Sequence, residues 1–262
     1  MLINYVRRGE GKPLLLVHGL GGNWRSWRTV LGPLAAKRSV TAIDLPGFGK
    51  SPPLAGEVSI RTMSDAVSQF LREHDLLGTD AVGSSVGAQL VLELARRGGV
   101  VGAVVSLAPV GFWAGWERHA YRASVCFWWR IARLMKRPMP AIATHEWSRG
   151  LLLKQLSAQP SLLSGSNVLE EMRSCATSVS FGATLDGLVR AAPMEGIAAG
   201  SPGKRLVIGW GRSDRICFPR QAGRALKSFP DAQLHWFERC GHYPHWDAPD
   251  ETASLILKTT AD

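Results

Sequence analysis

Thr79-Asp80-Ala81-Val82-Gly83-Ser84-Ser85-Val86-Gly87-Ala88-Gln89-Leu90-Val91-Leu92-Glu93-Leu94-Ala95-Arg96-Arg97 is the stretch that decides the fold. Thr79 to Val82 reads as a short strand, and from about Ala88 to Arg97 the residues Leu90, Val91, Leu94 and Ala95 recur at helical spacing. Between them, Ser85 stands with a glycine two residues before it and another two after it. A strand that turns sharply into a helix forces its turn residue into a strained backbone conformation. That conformation is tolerated where the flanking positions carry almost no side chain. Gly83 and Gly87 meet this demand, so the run reads as a nucleophile elbow with Ser85 as the candidate nucleophile.

Working outward, strand-like and helix-like runs alternate. Strands are expected over 14–17, 40–43 and 101–107, and helices over 24–36 and 60–74. Such alternation predicts a mostly parallel sheet with crossover helices. The central strands carry no polar face, which fits helices covering both sides. From about residue 112 to residue 200 the alternation stops, and helical patterns broken by Pro138, Pro140 and Pro160 replace it. We expect a helical cap over 112–200, inserted into an α/β core formed by 1–111 and 201–262. Strand and helix resume over 205–210, 219–227, 233–237 and 249–259.

The composition, 45% apolar and 20% charged over 262 residues, is that of a globular domain. No apolar run approaches the roughly 18 residues needed to span a membrane. The chain start places Arg7 and Arg8 after its apolar residues, the reverse of a secretory signal, so a cytoplasmic protein is expected. Cys126, Cys175, Cys217 and Cys240 show no metal-site spacing and are expected to stay reduced, with pairing of Cys217 and Cys240 left open. The net charge of +10 is concentrated: 112–154 holds eight basic and two acidic residues, together with five of the ten tryptophans. That clustering argues against a nucleic-acid partner. It fits a solvated helix face over an aromatic core, or weak contact of a basic cap with anionic surfaces.

Three further runs fall just past expected strands, where ligands of open α/β sheets bind. In His18-Gly19-Leu20-Gly21-Gly22 the glycines let amide groups turn into a site. The N–H groups of Leu20 and Val86 are the candidate donors to a developing oxyanion, the alternative being a plain tight turn. Gly209-Trp210-Gly211-Arg212-Ser213-Asp214 offers Asp214 as an orienting acid, or as an ordinary turn aspartate. In Cys240-Gly241-His242-Tyr243-Pro244-His245, His242 is the candidate general base, since imidazole both takes and returns a proton near neutral pH. His245 is its nearest rival, and Gly241 favours His242 by permitting close approach. Two further patterns fail. Gly49-Lys50-Ser51 lacks the glycine of a phosphate loop, because Asp44 stands in its place, and the glycines at 19, 21 and 22 lack the third of a dinucleotide fingerprint. No cofactor and no metal are expected.

The chain order Ser85, Asp214, His242, with His18-Gly19, Asp44-Leu45-Pro46-Gly47-Phe48-Gly49-Lys50-Ser51 and Gly241-His242, resembles the α/β-hydrolase fold family of the cap-bearing carboxylesterase type over nearly the whole chain. Some members carry the acid after their sixth strand, but here Ala108-Pro109-Val110-Gly111 offers no carboxylate. Ala88 and Ser84 depart from common family choices, a matter of pocket shape. The resemblance implies a serine rather than an aspartate nucleophile and hydrolysis of small, apolar esters through an acyl-enzyme. The pocket would lie under the cap, with Trp113, Trp116, Trp128 and Trp147 as candidate lining. A thioesterase, an acyltransferase or a C–C bond hydrolase would use the same three residues, and a ligand receptor would use the fold without turnover.

Overall fold

The computed structural model describes residues 2–200 and 205–261. Its sheet contains β1 (Tyr5–Arg8), β2 (Pro13–Val17), β3 (Ser39–Ile43), β4 (Thr79–Ser84), β5 (Val101–Leu107), β6 (Leu206–Gly211) and β7 (Gln233–Phe237). The spatial order is β1-β3-β2-β4-β5-β6-β7, and every pair is parallel except β1 with β3. Successive residues of the central strands feed two separate cores, as the two-residue period of a strand requires. Leu15, Val17, Ala81 and Val104 join one cluster, while Leu14, Leu16, Val82 and Val105 join the other.

Each core is closed by its own helices. Val30 and Leu34 of α1 (Arg28–Ala35) belong to the second cluster. On the first face lie Met63, Val67 and Phe70 of α2 (Ile60–Glu73) and Leu90, Val91 and Leu94 of α3 (Val86–Arg97). The expected helix over 24–36 begins instead as a 3-10 turn, Trp24–Trp27, whose first amides are met by the side chain of Asn23. β1 was not expected. Its Arg7 and Arg8 are exposed on an edge strand, so no apolar run marks it.

Between β5 and β6 the chain forms α4 (Glu117–Leu134), α5 (Met139–Thr144), α6 (Glu146–Leu152), α7 (Gly165–Thr177) and α8 (Phe181–Arg190). The prolines act as starts: Pro138 and Pro140 open α5, and Pro160 opens the 3-10 turn Pro160–Leu162. Buried Glu117, at the start of α4, pairs with Arg220 and Arg224, tying this layer to the segment after β6. The expected return to the core at residue 201 falls outside the described residues. Beyond β6, α9 (Ala222–Ser228) places Ala222 and Ala225 in the first core. After β7 come α10 (Pro244–Asp247) and α11 (Pro249–Thr259), the latter covering the second core through Ala253 and Ile256. Among the described residues no helix is long and apolar enough to cross a membrane.

Candidate active site

Ser85 sits between the end of β4 and the start of α3, with φ +56° and ψ −112°. The two glycines allow that turn for separate reasons. A Cβ on Gly83 would lie 2.1 Å from the Gly87 carbonyl oxygen, and one on Gly87 would lie 2.2 Å from that of Val17. The Ser85 amide donates to the Leu107 carbonyl at 2.9 Å, which pins the turn to the neighbouring strand.

The three side chains singled out in the sequence meet, although 157 positions separate Ser85 from His242. His242 Nδ1 lies 2.9 Å from Asp214 Oδ2, and His242 Nε2 lies 2.9 Å from Ser85 Oγ. A carboxylate facing Nδ1 can only accept, so Nδ1 carries the proton and Nε2 is left to accept from the serine hydroxyl. Asp214 is itself fixed, because its Oδ1 accepts from the amides of Ile216 (2.8 Å) and Cys217 (2.9 Å). The histidine loop is held from above: the amides of His242 and Tyr243 donate to the Leu156 carbonyl at 2.8 and 3.2 Å. Asp247 accepts from the amides of Gly241 and Ala158 and from the Ser157 hydroxyl. His245 takes no part in this relay. Its ring packs 4.7 Å from that of Trp27, and burial, with His242 nearby, pushes its pKa down to about 3.

The loop after β2 closes on a hydrogen bond from the Gly22 amide to the Gly19 carbonyl. Buried His18 holds it. Its Nε2 accepts from the Leu45 amide at 2.9 Å, so Nδ1 carries the proton and donates to the Gly19 carbonyl at 2.7 Å. Burial lowers the pKa of His18 and keeps the ring neutral, as this pairing demands. Leu20 lines the same cavity as Ser85, and Val86, the first residue of α3, has an amide with no acceptor within the helix. The Asp44–Ser51 run is scaffold: Asp44 accepts from Asn4 Nδ2 and from the amides of Trp24 and Lys50. Gly49 is required there, since at φ +54° its Cβ would lie 2.2 Å from Asp44 Oδ2.

A cavity of about 120 Å³ opens onto Ser85 and His242. One face of α4, carrying Tyr121, Val125, Trp128, Trp129 and Ala132, forms much of its wall. Of the four tryptophans expected there, Trp128 is present and Trp113, Trp116 and Trp147 are not. Trp113 packs on Tyr121, while Trp116 and Trp147 are 61% and 73% exposed. The reason is that Trp113 and Trp116 precede α4, whose face forms the wall, and Trp147 lies on α6. Trp129, stacked 5.0 Å from Phe181, was missed although it falls on the Tyr121–Val125 stripe at helical spacing. Trp246, Tyr243 and Glu171 of α7, the single lining carboxyl among the described residues, carried no sequence signal.

Asp214, Cys217 and His242 are the one trio of potential metal ligands grouped within 4.8 Å among the described residues. Their donor atoms are already engaged: both Asp214 oxygens and both His242 nitrogens hold hydrogen bonds. Burial and Asp214 also raise the Cys217 thiol well above its usual range, which disfavours the thiolate a metal needs. Cys217 and Cys240 are both unbridged.

The model of the alpha/beta hydrolase family matches residues 14–255. The chain is 27% identical over 261 residues to the dihydrolipoyllysine-residue acetyltransferase component of the acetoin cleaving system of Cupriavidus necator. That match covers 98% of this chain and 66% of the other, so the chain spans slightly less than two thirds of this relative. It is 30% identical over 265 residues to the 2-hydroxymuconate semialdehyde hydrolase of Pseudomonas sp. (strain CF600), covering 95% and 86% of the two chains. A thermophilic esterase from Thermogutta terrifontis superposes with a TM-score of 0.75 over 98% of this chain and 92% of its own, at 17% identity, a likeness of fold. With the family model spanning all but the outermost strand and the chain ends, the chain belongs to the alpha/beta hydrolase family.

Proposed function

We propose that the protein hydrolyses small, largely apolar carboxylic esters through an acyl-enzyme on Ser85. The observation that carries this reading is the line Ser85 Oγ, His242 Nε2, His242 Nδ1, Asp214 Oδ2, with both contacts at 2.9 Å. Ser85 Oγ attacks the ester carbonyl carbon as its proton passes to His242 Nε2. The carbonyl oxygen, now negative, accepts from the amides of Leu20 and Val86. Asp214 stabilises the imidazolium. When the intermediate collapses, the bond to the alkoxy oxygen breaks and His242 returns the proton to the departing alcohol. Water then attacks the acyl-serine, giving its proton to Nε2. Release of the carboxylic acid restores the hydroxyl on Ser85.

The cavity supports a substrate of modest size, because its volume is comparable to that of a protein cavity that admits one benzene-sized ring. Its walls are mainly aliphatic and aromatic, which supports an apolar acyl or alcohol group beneath the helices α4 to α8. A fluorophosphonate probe should label Ser85 and abolish hydrolysis of short p-nitrophenyl esters, and Ser85→Ala should remove both. No labelling of the folded protein would overturn the enzyme reading. Turnover of acyl-thioesters or vinylogous diketones in preference to esters would instead replace the ester with one of those substrates on the same side chains.

A further inference from the structure

Glu171 is a carboxyl in an apolar place. It lines the cavity shared by Ser85 and His242, and no lysine or arginine lines that cavity among the described residues. Its Oε2 accepts from Ser26 Oγ at 2.7 Å, its one hydrogen-bond partner among the described residues. A carboxylate offers about four acceptor positions, so most of its capacity is unused. The neighbouring Glu170, by contrast, has a cation, since Arg25 lies 3.7 Å from it. Oε1 would lie 3.1 Å from a Cβ on Gly22, so the carboxyl stands directly against the loop that carries Leu20. Gly22 is what leaves room for it.

Resting on the ester-hydrolase reading, we propose that Glu171 is a specificity subsite that receives a hydrogen-bond donor, an ammonium or a hydroxyl, carried on an otherwise apolar ester. Leaving a carboxyl in low-dielectric surroundings with a single hydrogen-bond donor is costly, and a further donor on the substrate lowers that cost only in the bound state. The same group repels a substrate carrying its own carboxylate, as the muconate named for the 30% identical relative does. Burial raises the Glu171 pKa to about 7, so the preference for an ammonium strengthens as pH rises through that value. The groups around it are Glu170 and Cys175 on its own helix, Ser26 on the 3-10 turn, Tyr243, and His18 across Gly22, while Tyr121 and His242 line the same cavity. A ratio of two substrates on one enzyme cancels any pH dependence that both share.

The experiment compares kcat/KM for p-nitrophenyl esters of benzoic, 3-hydroxybenzoic, 3-(aminomethyl)benzoic and 3-carboxybenzoic acids. The parent protein, Glu171→Gln and Glu171→Leu are each checked by thermal melting and by fluorophosphonate labelling of Ser85. In the parent, the hydroxyl and aminomethyl esters should exceed the carboxy ester by about tenfold or more. Glu171→Gln, which can still accept, should keep the hydroxyl preference and lose the ammonium one, and Glu171→Leu should lose both. Ratios unmoved by Glu171→Leu, or a parent that prefers the carboxy ester, would overturn the subsite. A parent that turns over none of the four, the plain benzoate included, would overturn the esterase reading beneath it.

Discussion

Replacing Asp214 by asparagine tests the relay more sharply than removing any of its members. In the folded chain Asp214 Oδ1 is locked by two backbone donors, the amides of Ile216 and Cys217 at 2.8 and 2.9 Å. An asparagine keeps those bonds only with its oxygen in the same place. Flipping it would set an NH2 group against two N–H groups, at a cost of about 1–3 kcal/mol for each donor left unpaired. The side-chain NH2 must therefore point at His242 Nδ1, where it donates. Nδ1 then has to accept, the ring proton moves to Nε2, and Nε2 can no longer take the proton of Ser85 Oγ. This wrong tautomer corresponds to a loss of about 10⁴ in kcat, or about 5.4 kcal/mol at roughly 1.36 kcal/mol per decade. Because both amide bonds survive, the melting temperature should move by only a few degrees. Steady-state hydrolysis of p-nitrophenyl butanoate, read beside a thermal melt, decides it. A variant that folds and keeps kcat within tenfold of the parent would show that Asp214 does not set the tautomer of His242.

Gly87→Ala should cost about 3 kcal/mol or more, since its Cβ would sit 2.2 Å from one backbone carbonyl oxygen and 2.5 Å from another. An unchanged melting temperature would refute the close approach of α3 to β2. His245 has a pKa lowered from 6.5 to about 3, so below pH 6.5 the unfolded chain binds a proton that the folded chain does not, and stability falls with pH. His245→Phe should flatten that decline, by about 2–3 kcal/mol at pH 4.5 in urea unfolding, and parallel curves for the two proteins would exclude the effect. Asp247→Ala removes the acceptor shared by Gly241, Ala158 and Ser157, and should cost about 2–4 kcal/mol and lower kcat by loosening the His242 loop. A shift in Tm under about 2 °C would mean that water replaces the clamp.

The parts of the molecule that could be read from the chain are those where backbone geometry leaves one choice of residue. Gly83 and Gly87 announce the elbow because any Cβ there would strike a carbonyl about 2 Å away, and Asp214 follows a strand whose apolar run is plain, while His242 is marked by the glycine before it and the strand Gln233–Phe237 upstream. β1 escaped notice because an edge strand needs no apolar face, and its pairing with β3 is made by backbone groups that any sequence supplies.

The cavity wall follows a different logic, which is why counting tryptophans over 112–154 chose three wrong residues out of four. What selects a wall residue is its angle about the helix axis, and adjacent positions differ by about 100°. Trp128 and Trp129 both reach the cavity because they straddle the stripe set by Tyr121, Val125 and Ala132, whereas Phe127, one position earlier, is 56% exposed. Glu171 is harder still to foresee, because its hydrogen bond comes from Ser26, 145 positions away, and its place on the cavity wall follows from how α7 is set over the sheet. The positions of Ser85, Asp214 and His242 are fixed by how a parallel sheet ends, and the walls by how one set of helices is rotated over it. Chains that share the first can therefore differ freely in the second, and the substrate of this one is to be sought in the orientation of α4 and α7 rather than in Ser85, Asp214 and His242.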